Sequence, residues 1–399
     1  MARGHLPARG KYDRGITNVN IRRAAIAAAL SLVAAGAMGT AAQARVVKVG
    51  EYRLSDSTLG KLRTDWVNQI YAHHSYGTWA PMKFDLTDRD LALMGLPPKR
   101  VLIKHRYSAP TAFYPSGRMV RMRTSAKGGR KPPPGGSSGT AAGPSVASFA
   151  GTGFFGIRPG AWLLFITPDS VGWCSAAHVY GSPGAYQIST AGHCGKAGDT
   201  VTVIGAVGNH TESGTPVPVL IDIGRISSST GDAGIGKDWA LIGIDSTWQN
   251  LVTPTMAFWG GPIGMYRATG EVVSADLTKG SITTNPNPTL VQGVVHYGHG
   301  AGIGAGGTPR AAASINWRSN YFTAFGAISP GDSGSGSNTV LGDAVGANRQ
   351  AAGINTHIYV DPSLKTGLGY LAGTRATLVS GTLANGQILP YPAPLPILP

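Results

Sequence analysis

From about residue 148 onward, short apolar runs alternate with clusters of Gly, Pro, Asn and Asp. Runs of this length, separated by turn-forming residues at short intervals, are typical of antiparallel β-strands joined by tight loops. The clearest runs lie at 161–167, 200–206, 217–223, 239–244 and 292–296. The pattern predicts an all-β sandwich or barrel, and it argues against a fold of alternating strands and helices.

Helical patterns are confined to two short stretches. In Leu86–Gly95, Thr87 is a candidate N-cap, acidic residues follow in the first turn, and a glycine closes the stretch. The second stretch, Gly373–Leu383, predicts one short C-terminal helix. The Pro-rich tail at 386–399 is expected to be extended, because proline at this density blocks both helix and sheet hydrogen bonding.

Residues 1–44 have the pattern of an export signal. A basic stretch is followed by an apolar run at 24–38 and by Ala42-Gln43-Ala44, which has the small-x-small pattern of a signal cleavage site. We expect cleavage after Ala44 and a secreted, extracellular product without a stable membrane span. An uncleaved membrane anchor is the alternative, although the apolar run is short for a span.

The positive charge is concentrated at the front of the chain. The net charge is +15, but residues 45–145 hold 17 Lys and Arg against six acidic residues, whereas residues 146–399 hold 11 against 12. The second part therefore has no basic excess of the kind that binds nucleic acid, and we expect no nucleic-acid partner. We interpret 45–126 as a basic pro-segment and 127–147, rich in Pro, Gly and Ser, as a linker.

Three short motifs carry the residue types that acyl transfer needs. Ser333 follows Asp332 and lies between glycines, His193 precedes a cysteine, and Asp238 opens an apolar run. A serine hydroxyl attacks only when an imidazole takes its proton, and a carboxylate orients that imidazole and stabilises its cation. Taken singly, the glycine-rich serine motif also fits an ordinary polar loop.

Together, the three motifs resemble the signature blocks of chymotrypsin-like (trypsin-fold) serine peptidases, most closely the secreted bacterial branch. The separations of 45 residues from His193 to Asp238 and of 95 from Asp238 to Ser333 are typical of that family. The resemblance covers a peptidase domain at 148–385. It implies two antiparallel six-stranded β-barrels, at about 148–250 and 251–385, with the active site in the cleft between them.

The resemblance also implies roles for individual residues. Ser333 would be the nucleophile, His193 the general base and acid, and Asp238 the orienting carboxylate. The backbone N–H groups of Gly331 and Ser333 would form the oxyanion hole. The chain would then hydrolyse polypeptides through an acyl-enzyme, with neither a metal nor an organic cofactor.

Cys174 and Cys194 are the only two cysteines in the chain. In an oxidising compartment they would form one disulfide, and in a reducing one they would be two small apolar residues. The export signal favours the disulfide. The resemblance does too, since the family has a bridging cysteine upstream of the one that follows its histidine.

Each catalytic assignment has a competitor. His178, which follows two alanines, competes with His193. Asp232 and Asp245 compete with Asp238. Asp332 is expected to hold the nucleophile loop through an ion pair, with either an arginine or a new N-terminus as its partner. A further pair, His296 and His299, has a spacing that suits a metal turn, but no third ligand is nearby, so we expect no metal site.

Specificity is predicted from the segments that form the primary pocket in the family. Ala327, six residues before the nucleophile, would be the floor, with Pro330 beside it, and Gly353, Asn355 and Thr356 would form the walls and the strand that pairs with substrate. Neither segment contains an acidic residue, and a buried basic side chain needs one. We expect cleavage after apolar or small residues.

Two other functions are also compatible with the sequence. A catalytically silent relative would act as a secreted binding or adhesion protein. A basic surface-binding protein would keep its front segment in the mature form. For the peptidase, the expected partners are a polypeptide substrate and its own pro-segment, and we expect a monomer.

Overall fold

The structure is a computed structural model that describes residues 52–121, 157–212, 215–267, 273–276, 281–284, 293–301, 307–340, 349–383, 386 and 388. For 207–212, 215–216, 273–276 and 281–284 it describes the backbone only. The expected signal peptide, the linker and most of the Pro-rich tail lie outside these residues. Among the described helices, none has the length and hydrophobicity needed to cross a membrane.

The described residues form 19 strands and four α-helices. The strands are β1 (Trp79–Pro81), β2 (Phe84–Asp85), β3 (Thr111–Phe113), β4 (Met119–Arg121), β5 (Trp162–Ile166), β6 (Val171–Ser175), β7 (Val179–Tyr180), β8 (Gln187–Thr190), β9 (Thr200–Glu212), β10 (Thr215–Ser229), β11 (Ala240–Ile244), β12 (Val273–Asp276), β13 (Ser281–Thr284), β14 (Gly293–Gly298), β15 (Thr308–Trp317), β16 (Tyr321–Ala327), β17 (Gly336–Thr339), β18 (Ala351–Tyr359) and β19 (Leu368–Arg375). The helices are α1 (Asp56–His73), α2 (Asp88–Leu93), α3 (Lys99–Lys104) and α4 (Ala376–Gly381).

The C-terminal strands close into a barrel of six strands. The order is β18-β17-β14-β15-β16-β19, and β19 pairs back with β18. Every described pairing in this barrel is antiparallel, as between Ile354 and Thr374. The barrel and the short helix α4 confirm the all-β class and the C-terminal helix predicted from the sequence.

The N-terminal strands form a second antiparallel sheet. Its order is β2-β6-β5-β9-β10-β11-β8-β7, with β3 and β4 attached at β10, which makes ten strands. The described pairings leave this sheet open rather than closed into a second six-stranded barrel. Leu163, Val203, Ile221 and Ile242 are buried in its apolar core, and their runs correspond to strands predicted from the sequence.

Residues 52–121, the described part of the basic front segment, pack into both sheets. Strand β1 adds to the closed barrel at β18, while β2 adds to β6 and β3 to β10. Helix α1 buries one apolar side, including Leu62 and Trp66. These residues share one buried apolar cluster with Trp173 and Ile358 of the two sheets. Removal of this segment during maturation stays a prediction.

Helix α2 confirms the short helix predicted near residue 90. The Thr87 side chain accepts a hydrogen bond from the Asp90 backbone N–H, and the Asp90 carboxylate accepts one from the Thr87 backbone N–H at 2.7 Å. This reciprocal capping satisfies two N–H groups that a helix start leaves without partners. The helix begins three residues after the end of β2.

Candidate active site

The loop that carries Ser333 lies between β16 and β17 and is held by a buried ion pair. Asp332 contacts the guanidinium of Arg310 on β15, and both side chains are buried. Its carboxylate also accepts backbone hydrogen bonds from Gly300 at 3.0 Å and Ser329 at 2.9 Å. Burial raises the pKa of Asp332, an effect that the charge of Arg310 and the two backbone hydrogen bonds oppose. The sequence left open whether Asp332 pairs with an arginine or with a new N-terminus. In the structure its partner is Arg310.

Ser333 and His193 are in direct contact. The Ser333 hydroxyl donates to Nε2 of His193, although the two residues are 140 positions apart. His193 lies in a single 3₁₀ turn, Gly192–Cys194, that follows β8. Ser333 is fully buried and the His193 side chain is 4% exposed. A buried hydroxyl with an imidazole acceptor is the arrangement that activates a serine.

Asp238 completes a continuous line of hydrogen bonds. Nδ1 of His193 donates to Oδ2 of Asp238 at 2.5 Å, and the His193 backbone N–H donates to Oδ1 at 3.0 Å. Burial raises the pKa of Asp238, but the charge and hydrogen bonds of His193, with the nearby His357, outweigh burial and hold this pKa below its usual value. Asp238 therefore stays ionised, and it fixes both the orientation and the tautomer of His193.

The competing carboxylates occupy other positions. Oδ1 of Asp232 lies 3.3 Å from Nε2 of His357 and half of its side chain is exposed. Asp245 precedes the 3₁₀ turn Ser246–Leu251, and its backbone N–H donates to the Ile223 carbonyl. The carboxylate in contact with His193 is that of Asp238.

His178, the competing histidine, is fully buried and its Nε2 lies 3.0 Å from Oδ1 of Asn338. Since an amide oxygen only accepts, Nε2 carries the proton in this contact. Burial lowers the pKa of His178 to about 4, despite the hydrogen bond to Asn338. The side chain is a neutral packing residue that links the two sheets.

Cys174 of β6 forms a disulfide with Cys194, which ends the turn of His193. The bond ties that turn to β6, so the backbone that positions the imidazole is covalently held at the residue after His193. The sequence contains no other cysteine.

Gly331 has a conformation that other residues rarely adopt. Its φ is +84°, and a Cβ atom there would lie 2.8 Å from the indole ring of Trp173. Glycine is therefore required on both conformational and steric grounds. Its backbone N–H points to the carbonyl oxygen of Met82 at 3.2 Å. The N–H group expected to stabilise an oxyanion thus already binds a peptide carbonyl.

The residues expected to shape the primary pocket lie in two segments. Ala327 ends β16 and Pro330 lies in the nucleophile loop. Gly353, Asn355 and Thr356 lie on β18.

The side chain of Asn355 supports the nucleophile loop. It binds the hydroxyls of Ser335 at 2.9 Å and Ser337 at 2.8 Å. Gly353 packs against the backbone of Thr374 and the ring of Phe322. Thr356 offers its backbone carbonyl, which accepts the Met82 N–H at 3.0 Å.

His357 is a neighbour of Asp238 and His193 that the sequence did not single out. Its Nδ1 lies 3.8 Å from Oδ2 of Asp238, and its ring centroid lies 6.0 Å from that of His193. Burial lowers the pKa of His357, an effect that the negative charges of Asp238 and Asp232 oppose. No local motif marks this residue, because its position depends on the approach of β18 to a loop far away in the chain.

The structure also positions the remaining candidate metal ligands. In the part of the chain that the structure describes, ligand atoms of Asp232, Asp238 and His357 lie within 4.8 Å of one another, close enough to hold a cation. They already contact one another or His193 directly. His296 is buried on β14, where burial and the charge of Arg310 lower its pKa to about 3. His299 stacks on Trp162 with centroids 5.2 Å apart.

Comparison with solved structures finds similar chains at low identity. Protease A of Thermobifida fusca is 16% identical with a TM-score of 0.32, and the alignment covers 58% of this chain and 98% of that one. The thermostable serine protease AL20 from an extremophilic microorganism is 15% identical with a TM-score of 0.33, over 54% and 89%. A glutamic acid specific serine protease, described as using a histidine triad in substrate binding, is 15% identical with a TM-score of 0.29, over 57% and 97%.

No protein-family model matches the chain, and no curated protein matches it by sequence.

Proposed function

We propose that the protein is a secreted serine endopeptidase that hydrolyses peptide bonds through Ser333, His193 and Asp238. The observation that carries this proposal is the line of hydrogen bonds from the Ser333 hydroxyl through both nitrogens of His193 to the Asp238 carboxylate. Three side chains of the right type, in this order and buried together, provide a nucleophile, a base and an orienting group.

In the proposed reaction, Ser333 Oγ attacks the carbonyl carbon of the substrate while its proton moves to Nε2 of His193. The resulting imidazolium is stabilised by the ionised Asp238 carboxylate. His193 then gives the proton to the leaving amine, and the acyl group stays on Ser333. Water, activated by the same imidazole, releases the acyl group and restores the serine.

The oxyanion is proposed to bind the backbone N–H groups of Gly331 and Ser333. Support comes from the positive φ of Gly331 and from its contact with a peptide carbonyl, which is the ground-state form of the group that gains charge. The ion pair of Asp332 with Arg310 keeps this loop in place, so the donors are arranged before substrate arrives.

For specificity, we propose cleavage after apolar or small residues. The segments 327–330 and 353–357 contain no acidic residue, and a buried Lys or Arg side chain would then lack a partner. Extracellular location, a monomeric mature form and removal of residues 45–126 belong to the same proposal. The disulfide and the export-signal pattern support the location.

A mixed peptide library tests this function. Once the front segment has been released from the cleft, the wild-type chain is expected to cleave after apolar or small residues. Ser333→Ala, prepared in the same way, is expected to cleave nothing. Dominant cleavage after Lys or Arg would overturn the specificity. Equal hydrolysis by Ser333→Ala would overturn the mechanism.

A further inference from the structure

A short segment of the chain runs through the catalytic cleft as an added β-strand. Strand β1 pairs antiparallel with β18, with Ala80 opposite Ile358 and Pro81 opposite His357. The ladder continues at Met82, whose backbone N–H donates to the Thr356 carbonyl at 3.0 Å. Strand β18 is the one that the sequence assigns to pairing with substrate.

Met82 lies with its carbonyl group at the catalytic loop. Its oxygen accepts the N–H of Gly331 at 3.2 Å, two residues before the nucleophile. Its side chain is fully buried in the apolar cluster that also contains Ile328, from the predicted pocket segment. Both polar backbone groups of Met82 and its side chain are therefore bound by elements of the proposed site.

Beyond Met82 the chain crosses to the other sheet. Phe84 pairs with Trp173 on β6, and their rings lie 5.6 Å apart. Between them, the Lys83 carbonyl accepts a hydrogen bond from the indole N–H of Trp66 at 3.1 Å. The segment is thus held on both sides of the catalytic loop, by the barrel before Met82 and by the open sheet after Lys83.

We propose that Trp79–Asp85 is an internal substrate and that the Met82–Lys83 peptide bond is a self-cleavage site. The proposal rests on the function proposed above and names its substrate class: an extended chain with an unbranched apolar side chain before the cleaved bond and a proline preceding it. Met82 fits because its flexible thioether fills an apolar pocket at low conformational strain. Lys83 supplies an ordinary amine as leaving group.

Ser333 Oγ forms a bond to the Met82 carbonyl carbon, and its proton passes to His193. The C–N bond to Lys83 breaks, and the Lys83 nitrogen takes that proton and becomes a new N-terminus. Water then hydrolyses the Met82 ester, and the chain is left as two pieces with one molecule of water added.

Both pieces are expected to stay bound after cleavage. Residues before the cut include helix α1, with Leu62 and Trp66 buried, and residues after it begin with β2 on β6. The piece that ends at Met82 therefore continues to fill the cleft and keeps other polypeptides out. Release of residues 52–82 would open the site, so the same segment is both substrate and inhibitor.

The test uses the purified full-length chain, analysed under denaturing conditions by intact mass and N-terminal sequencing. The wild-type chain is expected to yield a fragment that begins at Lys83, at a rate independent of protein concentration, and Ser333→Ala is expected to stay uncut at this bond. Met82→Asp, which would bury an unpaired charge, is expected to slow the cut by on the order of 100-fold or more. Met82→Leu is the matched control and is expected to cut.

A second measurement separates this inference from the proposed function. Each variant is treated with a fluorophosphonate probe after circular dichroism has verified its fold. A wild-type chain that stays uncut at Met82–Lys83 while Ser333 takes up the probe overturns the internal substrate and leaves the peptidase standing. If neither the wild-type chain nor Met82→Asp is cleaved at this bond or labelled at Ser333, both the internal substrate and the proposed peptidase function are overturned. The same cut in Ser333→Ala would show that another protease makes it, which also overturns the inference.

Discussion

Nδ1 of His357 lies 3.8 Å from Oδ2 of Asp238, so the carboxylate that orients His193 has a second imidazole beside it. The other nitrogen of His357 lies 3.3 Å from Asp232. If His357 gains a proton, the new cation competes with His193 for the charge of Asp238. The acid side of the activity profile should therefore depend on two histidines rather than one.

This relationship predicts the pH profile of kcat/KM. Burial holds the pKa of His357 below its ordinary value, so His357 is neutral at pH 7 and gains its proton only as the pH falls below about 6.5. In the wild-type enzyme, log(kcat/KM) should then fall more steeply than one unit per pH unit at low pH. His357→Gln cannot titrate and should give a slope of one, with little change at pH 8.

Asp232→Asn serves as the control for this experiment. It removes a carboxylate that favours protonation of His357, so the steep part of the profile should move to lower pH. A wild-type slope of one that neither substitution changes would show that His357 has no influence on the triad.

The disulfide is expected to stabilise the fold and to position His193. Cys174 and Cys194 are 20 residues apart, and closing a loop of this length contributes about 3 kcal/mol in the chain-entropy model. The double substitution Cys174→Ala/Cys194→Ala should lower the free energy of unfolding by about this amount and reduce kcat. Urea denaturation with and without reductant measures the effect. Full stability after reduction would contradict it.

Arg310 is expected to be essential for the nucleophile loop. Arg310→Met leaves the buried carboxylate of Asp332 without its cation, and breaking a buried pair in this way costs about 3 to 5 kcal/mol. The double variant Arg310→Met/Asp332→Asn should recover much of that stability, because no unpaired charge remains. Equilibrium unfolding of the three proteins checks this. Equal stability of Arg310→Met and the wild type would rule it out.

Much of the fold and the centre of the site could be predicted from local sequence. The apolar runs at 161–167 and 239–244 correspond to β5 and β11 because each strand buries several successive side chains. Ser333 and His193 of the proposed triad stand in short motifs in which glycine or cysteine neighbours mark the turns, and Asp238 opens an apolar run. These signals need no knowledge of distant partners.

The remaining features depend on contacts between distant parts of the chain. Strands β1 and β2 have only three and two residues, so no periodicity marks them, and they form because partners on β18 and β6 are available. The sequence predicted a boundary between the pro-segment and the peptidase domain. In the structure, the front segment nevertheless supplies strands to both sheets. Arg310 and His357 likewise acquire their partners only when the strands assemble.

The reaction rate of Ser333 with a fluorophosphonate probe tests the central claim most directly. The rate is measured in the native chain and in a chain that carries Met82→Asp, so that occupation of the cleft by Trp79–Asp85 does not hide Ser333 from the probe. We predict one adduct, on Ser333, and a rate that falls by on the order of 10⁴-fold in His193→Ala or Asp238→Asn. The double variant should lose little more, since the triad acts as a unit. Asp232→Asn should react at nearly the wild-type rate. Labelling of another residue, or an unchanged rate in His193→Ala, would contradict the account.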